Sequence, residues 1–460
     1  MKDPARAFES IYLISEVIVI ILFLVFTEYS DGVHPGALSI EEAKAAGREN
    51  VRTYYAIFQD VHVMIYVGFG FLMVFLKTHS WTSVGFNYLI AAYVMQITIL
   101  IVGFWHMAIE SPVEDWHKIK LEIQSLIIGD FGAGAVLITF GAVLGKCSLS
   151  QLWCLATLEI IFYGLNEAIC AGHLGAVDMG GSMYVHTFGA YFGLAASYFF
   201  QNKKALKDEK NRCEGDYNSQ LVAMIGTVFL FMFWPSFNGA LASADQQQRV
   251  IVNTVLSITA SAVTGCAMSR LFLQRLDMEV VLNATLAGGV SVGSSSDLVV
   301  TGGTAMAIGA LAGIVSAVGF LKLSAYLQAK INLHDTCGVH NLHGLPGVLG
   351  GVIGAISASL ADSSFENKLA LEETFPKIAE GRTPSEQGWI QMAALGITLC
   401  FSIGGGVISG FISSRFQAVE YLFDDKEHFA HANYIEVVEE HEMAQVATTE
   451  RKVVTDADAE

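Results

Sequence analysis

The sequence predicts an all-α polytopic membrane protein: about twelve transmembrane helices, built as two inverted five-helix repeats plus an N-terminal and a C-terminal helix. Composition is the first reason. Of 460 residues, 53% are hydrophobic and only 15% are charged. A soluble chain carries roughly 25% charged residues, so this one has too few ionic side chains to wet a globular surface. The second reason is the grouping of apolar residues into runs of about 20, enough to cross a bilayer core. The third is a polar pattern that recurs 157 residues later.

Ile11–Thr27 is the first span: it is longer than the apolar part of a signal peptide, and no small-residue cleavage site follows it. Spans follow at Val61–Leu76, Phe86–Trp105, Leu121–Leu144, Leu152–Ile169 and Met183–Phe200. The second half supplies Leu221–Leu241, Val252–Phe272, Val280–Val300, Ala305–Leu327 and Val339–Leu360, and Ile390–Phe411 closes the set. The ninth and eleventh are rich in glycine and the weakest. Glycine pairs such as Gly288-Gly289 and Gly350-Gly351 fit close helix packing, which drives association in lipid. None reads as a phosphate loop.

Orientation follows from Lys and Arg in the loops. With the N-terminus inside, inner loops hold thirteen of them and outer loops nine. The basic connection Lys203–Arg212 supplies most of the excess. Both termini are therefore placed in the cytoplasm, in a multi-pass protein of the plasma membrane. Residues 1–415 form the membrane domain, with halves at about 58–201 and 219–360. Residues 416–460 read as an acidic, disordered cytoplasmic tail, open to cytosolic partners. That tail carries half of the net charge of −18.

These features exclude other classes. No basic stripe exists to neutralise phosphates, so nucleic acid is not a partner. The seven cysteines are odd in number and five lie in or beside apolar runs, which favours buried free thiols. No His-Glu-x-x-His or Gly-x-Ser-x-Gly signature is present, so neither a zinc centre nor a serine hydrolase is expected, and no cofactor.

Two segments share the recurring pattern. Asp178 is followed by Gly181, His186 and Gly193; Asp335 is followed at the same spacings by Gly338, His343 and Gly350. Each copy then contains five spans. An odd number inverts the second copy relative to the first, as in transporters whose site lies at the repeat interface near the midplane.

Ionisable groups within spans are expensive, and each is a functional candidate. They are Glu16, His62, Asp130, Glu159, Glu167, His186, Asp335 and His343. Glu16 and Glu159 read as structural. Glu167 lies near the outer end of its span, where it can line a vestibule. Asp130 and Asp178 are placed to accept backbone or hydroxyl bonds and cap a helix. His186 and His343 differ from the rest because they occupy equivalent places in the two halves. Inversion brings them face to face, where two neutral imidazoles can share one hydrogen bond.

Several stretches are similar to the Rh glycoprotein branch of the ammonium transporter superfamily. They are Gly129-Asp-Phe-Gly132, Gly181-Ser-Met-Tyr-Val-His186, Phe233-Trp-Pro-Ser-Phe-Asn238, Asn283-Ala-Thr-Leu-Ala-Gly-Gly289 and Asp335 through Gly347, with Phe58-Gln-Asp-Val-His62. The resemblance runs from about Phe8 to Phe416. It implies a homotrimer in the lipid bilayer, not an enzyme, with a separate pore in each subunit and ammonia or ammonium as substrate. His186 and His343 would be the pore histidines and Phe131 and Phe237 the gate at the outer mouth. Glu167 would be a vestibule acid, and Asp178, with Asp335 as its counterpart, would hold the pore. Two departures stand out. Loop 30–54 has no glycosylation sequon, and position 220 is Gln where some relatives carry an acid.

The resemblance further implies that ammonium is recruited and deprotonated at the outer vestibule and crosses as ammonia, without net charge. Carbon dioxide or methylammonium passage is the alternative, as is a membrane scaffold or ammonium sensor. A scaffold would need neither histidine.

Overall fold

A computed structural model describes residues 4–34, 39–200, 213–361, 368–419, 421–426, 428 and 429. Twelve helical segments follow the predicted spans one for one: α1 (Pro4–Phe26), α2 (Ile40–Phe75), α3 (Ser80–Glu110), α4 (Ile123–Val143), α5 (Leu149–His173) and α6 (182–197). The second half gives α7 (Tyr217–Gly239), α8 (Ala244–Leu273), α9 (Met278–Val292), α10 (Gly302–Ile331) and α11 (His340–Leu360), and α12 (Pro384–Ser413) ends the bundle. Among the described residues, nine of these are long and apolar enough to cross a membrane. The apolar part of α1 is shorter, and α6 and α9 are the shortest of the twelve.

Helix starts are written locally. Ser148, Asp216 and Thr383 cap α5, α7 and α12, each in a reciprocal box with the residue three positions on, which satisfies amides that have no partner inside the helix. Packing between helices relies on missing side chains. A Cβ on Gly309 of α10 would land on the carbonyl oxygen of Ser257 in α8, so only glycine permits that approach. Thr27–Tyr29 pairs in parallel with Ile119–Leu121, tying the end of α1 to the start of α4.

The structure departs from the sequence reading in four places. Segment 30–54, read as a loop, is helical from Ile40 and runs without a break into the second span. Ser39 accepts from the Glu42 amide at 3.4 Å, and Glu42 accepts from the Ser39 amide at 2.9 Å, which nucleates that extension. Residues 416–429 are not all free tail. Leu422 and Phe423 are buried, the Phe423 amide donates to the Gly145 carbonyl at 2.9 Å, and Asp425 accepts from the amides of Trp81 and Thr82 at 3.0 and 2.7 Å. This segment therefore caps the start of α3. The acidic stretch 430–460 and the basic connection 203–212 lie outside the described residues. All seven cysteines are free, but only Cys147 and Cys170 are buried, and Cys400 is exposed on α12. Finally, β-pairing at 27–29 had no sequence signal.

Candidate functional site

Aromatic rings and imidazoles form a continuous file through the centre of the bundle. Phe131 of α4 and Phe237 of α7 meet with ring centroids 4.7 Å apart. Phe237 lies 5.7 Å from the ring of His186. His186 and His343 are nearly parallel, at 13°, with their Nδ1 atoms 3.2 Å apart. Phe69 of α2 then stacks on His343 at 6.2 Å. Both histidines are buried, and Nε2 of His186 has no hydrogen-bond partner among the described residues. The file of rings is therefore apolar except at one imidazole pair.

The backbone explains how two residues so far apart in sequence meet. Gly181 and Gly338 both take left-handed conformations, with φ of 69° and 68°, where a side chain would be strained. After each turn the chain enters a wide π-type turn, at Ser182–Thr187 and at His340–Gly344, that carries the histidine. Such turns are frequent at functional sites. Asp178 accepts from the amides of Met183 and Tyr184, both at 2.8 Å, and Asp335 accepts from Val339 and His340 at 3.0 and 2.9 Å. Each aspartate thus fixes the start of the helix that carries its histidine.

The two anchors differ in their other partners. Asp178 also accepts from the Ser294 hydroxyl on the second half. Near Asp335 lies Lys146, buried in the loop between α4 and α5. Its Nζ donates to the carbonyls of Ala142 and His334, both at 2.7 Å, and lies 3.3 Å from Nδ1 of His334. Burial pulls the Lys146 ammonium down to about 8, against the opposing pull of Asp335.

Among the described residues Asp130 accepts from no helix-start amide. Its carboxylate lies 3.0 Å from Nδ1 of His62, whose ring sits between Phe58 and Tyr66. The Asp130 side chain is fully buried while that of His62 is 39% exposed. Glu167 is near the C-terminal end of α5, 3.7 Å from Nε2 of His106, and Nδ1 of His106 meets Glu110 at 2.5 Å. Glu159 is buried and accepts from the Thr139 hydroxyl at 2.7 Å.

Sequence reasoning missed several participants. Trp234 stacks on His186 at 5.5 Å and 23°, although it stands in the quoted Phe233–Asn238 stretch. His106 and Glu110 were passed over because they sit at the end of their apolar run. Glu279 lines a cavity of about 50 Å³ beside His343, Phe69 and Asn283. The first turn of a glycine-rich span gave no hint of that position.

Comparison with known proteins places this arrangement. A model of the Ammonium Transporter Family matches residues 17–428. Ammonium transporter Rh type B of Oryzias latipes is 45% identical over 421 residues, covering 90% of this chain and 88% of that protein. Ammonium transporter Rh type C of Canis lupus familiaris is 40% identical over 408 residues, covering 87% of each. Among solved structures, Nitrosomonas europaea Rh50 superposes with a TM-score of 0.72 at 31% identity, over 88% of this chain and 99% of that one. A structure described as Sensor Amt Protein has the same fold, with a TM-score of 0.64 at 18% identity over 81% and 96% of the two chains. With a family match that spans most of its length, and Rh relatives at this identity, the chain belongs to the Rh branch of the Ammonium Transporter Family.

Proposed function

We propose that this chain carries ammonium nitrogen across the membrane as ammonia, through the file of rings described above, without net charge. The observation that supports this most directly is the Nδ1 to Nδ1 contact of His186 and His343 at 3.2 Å in an otherwise apolar passage. By idealised Born estimates, moving a bare small cation into such a medium costs on the order of 20 kcal/mol. One imidazole pair does not offset that. Ammonia, in contrast, can accept from one ring and donate to the other.

In this reading, ammonium gathers at the outer mouth, where the Glu167 and Glu110 carboxylates flank His106. It is held against the faces of Phe131 and Phe237 by cation–π attraction and gives up its proton there. Ammonia passes the histidines and is reprotonated inside. Flux follows the ammonia gradient, with neither ATP nor a coupling ion.

The assembly we infer is a homotrimer with a pore in each subunit. The partly exposed His62 supports it: a ring bonded to a buried carboxylate is unfavourable against hydrocarbon, and a neighbouring subunit would cover it. Plasma-membrane residence with both termini cytoplasmic accords with the basic inner loops.

The test is flux into proteoliposomes given an inward ammonium gradient, read as alkalinisation of the lumen. Faster alkalinisation than in empty liposomes is expected. A rate equal to theirs, with folded protein in the bilayer, rejects the reading.

A further inference from the structure

Ammonia that crosses is reprotonated on the inner side, and one carboxyl group is placed to supply the proton. Below His343 the file opens into the cavity of about 50 Å³, walled by Phe69, Leu72 and Phe320 and carrying few polar groups. Among its lining residues Glu279 is the only carboxylate. It stands in the first turn of α9, where its backbone carbonyl accepts from the Asn283 side chain at 2.7 Å. Among the described residues its carboxylate makes no hydrogen bond or ion pair. A second polar atom of the same cavity, Oγ1 of Thr336, is buried and also without a partner. The inner-side cation Lys146 does not serve Glu279, since its donors meet the Ala142 and His334 carbonyls. Gln220 offers no charge. The cavity thus presents a half-buried carboxyl group and an unengaged hydroxyl together with His343.

We propose that Glu279 is the inner ammonium site, the carboxyl group that protonates ammonia arriving past His343 and holds the ammonium formed. The proposal rests on the reading that ammonia is the species that crosses. In the inward direction the Glu279 O–H bond breaks and an N–H bond forms, leaving ammonium beside a carboxylate. Ammonium departs to the inner solution, and the carboxylate takes a proton from hydronium there. The sum is one ammonia and one inner proton converted to one ammonium. Outward flux runs the same steps in reverse. The titratable groups that face Glu279 are Asp277 on its own helix, Cys213 ahead of α7, and Cys337 ahead of α11, with His343 on the same cavity.

The experiment is ammonium-driven flux in right-side-out vesicles, with inner and outer pH varied separately. Glu279→Gln is expected to lower inward flux by about tenfold at alkaline inner pH, where hydronium is scarce, and far less at acidic inner pH. That lies below the hundredfold typical of a positioned acid, because water also delivers protons. Its outer-pH profile should match the native one, which a merely structural defect would not preserve. Glu279→Asp should restore most of the flux. Native flux in Glu279→Gln at every inner pH overturns the proposal. If that variant does not fold, Glu279→Asp and Thr336→Val are read instead, and inner-pH profiles unchanged in both overturn it. The double variant His186→Leu with His343→Leu runs in parallel. Full flux there rejects the ammonia pore itself, whereas loss there with native behaviour in Glu279→Gln rejects only this site.

Discussion

His186 and His343 present the same ring atom to each other, Nδ1 to Nδ1, across 157 residues of sequence and from opposite faces of the bundle. Each is delivered by the same device: an aspartate on two amides, a left-handed glycine, and a wide helical turn. The contact therefore joins two equivalent half-sites, and neither half of the chain builds it alone.

Replacing both histidines with leucine keeps the volume and removes every polar group of the pair. Folding should survive and flux should fall sharply. Replacing one alone strands a buried imidazole, at about 1–3 kcal/mol, so either single variant should be less stable than the double one. Thermal unfolding in detergent, paired with vesicle flux, checks both statements. Native flux in a folded double variant would count decisively against the pore.

The phenyl gate gives a different expectation. Phe131→Ala or Phe237→Ala opens the outer end of the file, so flux or the exclusion of ions should change while the protein stays folded. Phe131 keeps slightly more exposure than Phe237, which is fully buried, so Phe237→Ala should carry the larger stability cost, about 3–5 kcal/mol at most. Unaltered rate and selectivity in both variants would remove the gate from the mechanism.

Electroneutrality is open to direct measurement. Ammonium gradients should alkalinise the lumen without a current proportional to flux. A saturating current of one charge per molecule would replace neutral passage by a relay of protons through the imidazoles.

Lys146 predicts a dependence of stability on pH. Burial lowers its pKa from the ordinary 10.5 to about 8. Between those values an unfolded chain keeps a proton that the folded chain has released, so stability rises with pH across that window. Below about 8 both states are charged and the full burial cost applies. The native protein should therefore gain thermal stability relative to Lys146→Met as pH climbs from 8 to 10.5. A constant difference between them would show that folding leaves the Lys146 ammonium at its ordinary value.

Most of the scaffold is legible because lipid imposes one rule: backbone polar groups must bond within helices, so apolar length marks each span. The pairing of Asp178 with Asp335, and of His186 with His343, was legible as a spacing. What escaped lies where hydropathy is silent. The Ser39–Glu42 box starts a helix that an apolar window assigns to a loop. The π-type turns leave no mark on a period of 3.6. Partners such as His62 with Asp130, or Trp234 with His186, depend on which helices touch, and sequence order does not reveal that.

The docking of Leu422, Phe423 and Asp425 also decides how the acidic stretch can be studied. Asp425 supplies acceptors to the first amides of α3, and the Thr78 hydroxyl donates to the Phe423 carbonyl at 2.7 Å. A truncation at 416 would take these away together, uncapping a central helix at a cost of about 1 kcal/mol or more. Lost flux in such a shortened chain would then report a damaged inner face, and say nothing about signalling by the acids beyond it. The cut that isolates them falls after Phe429.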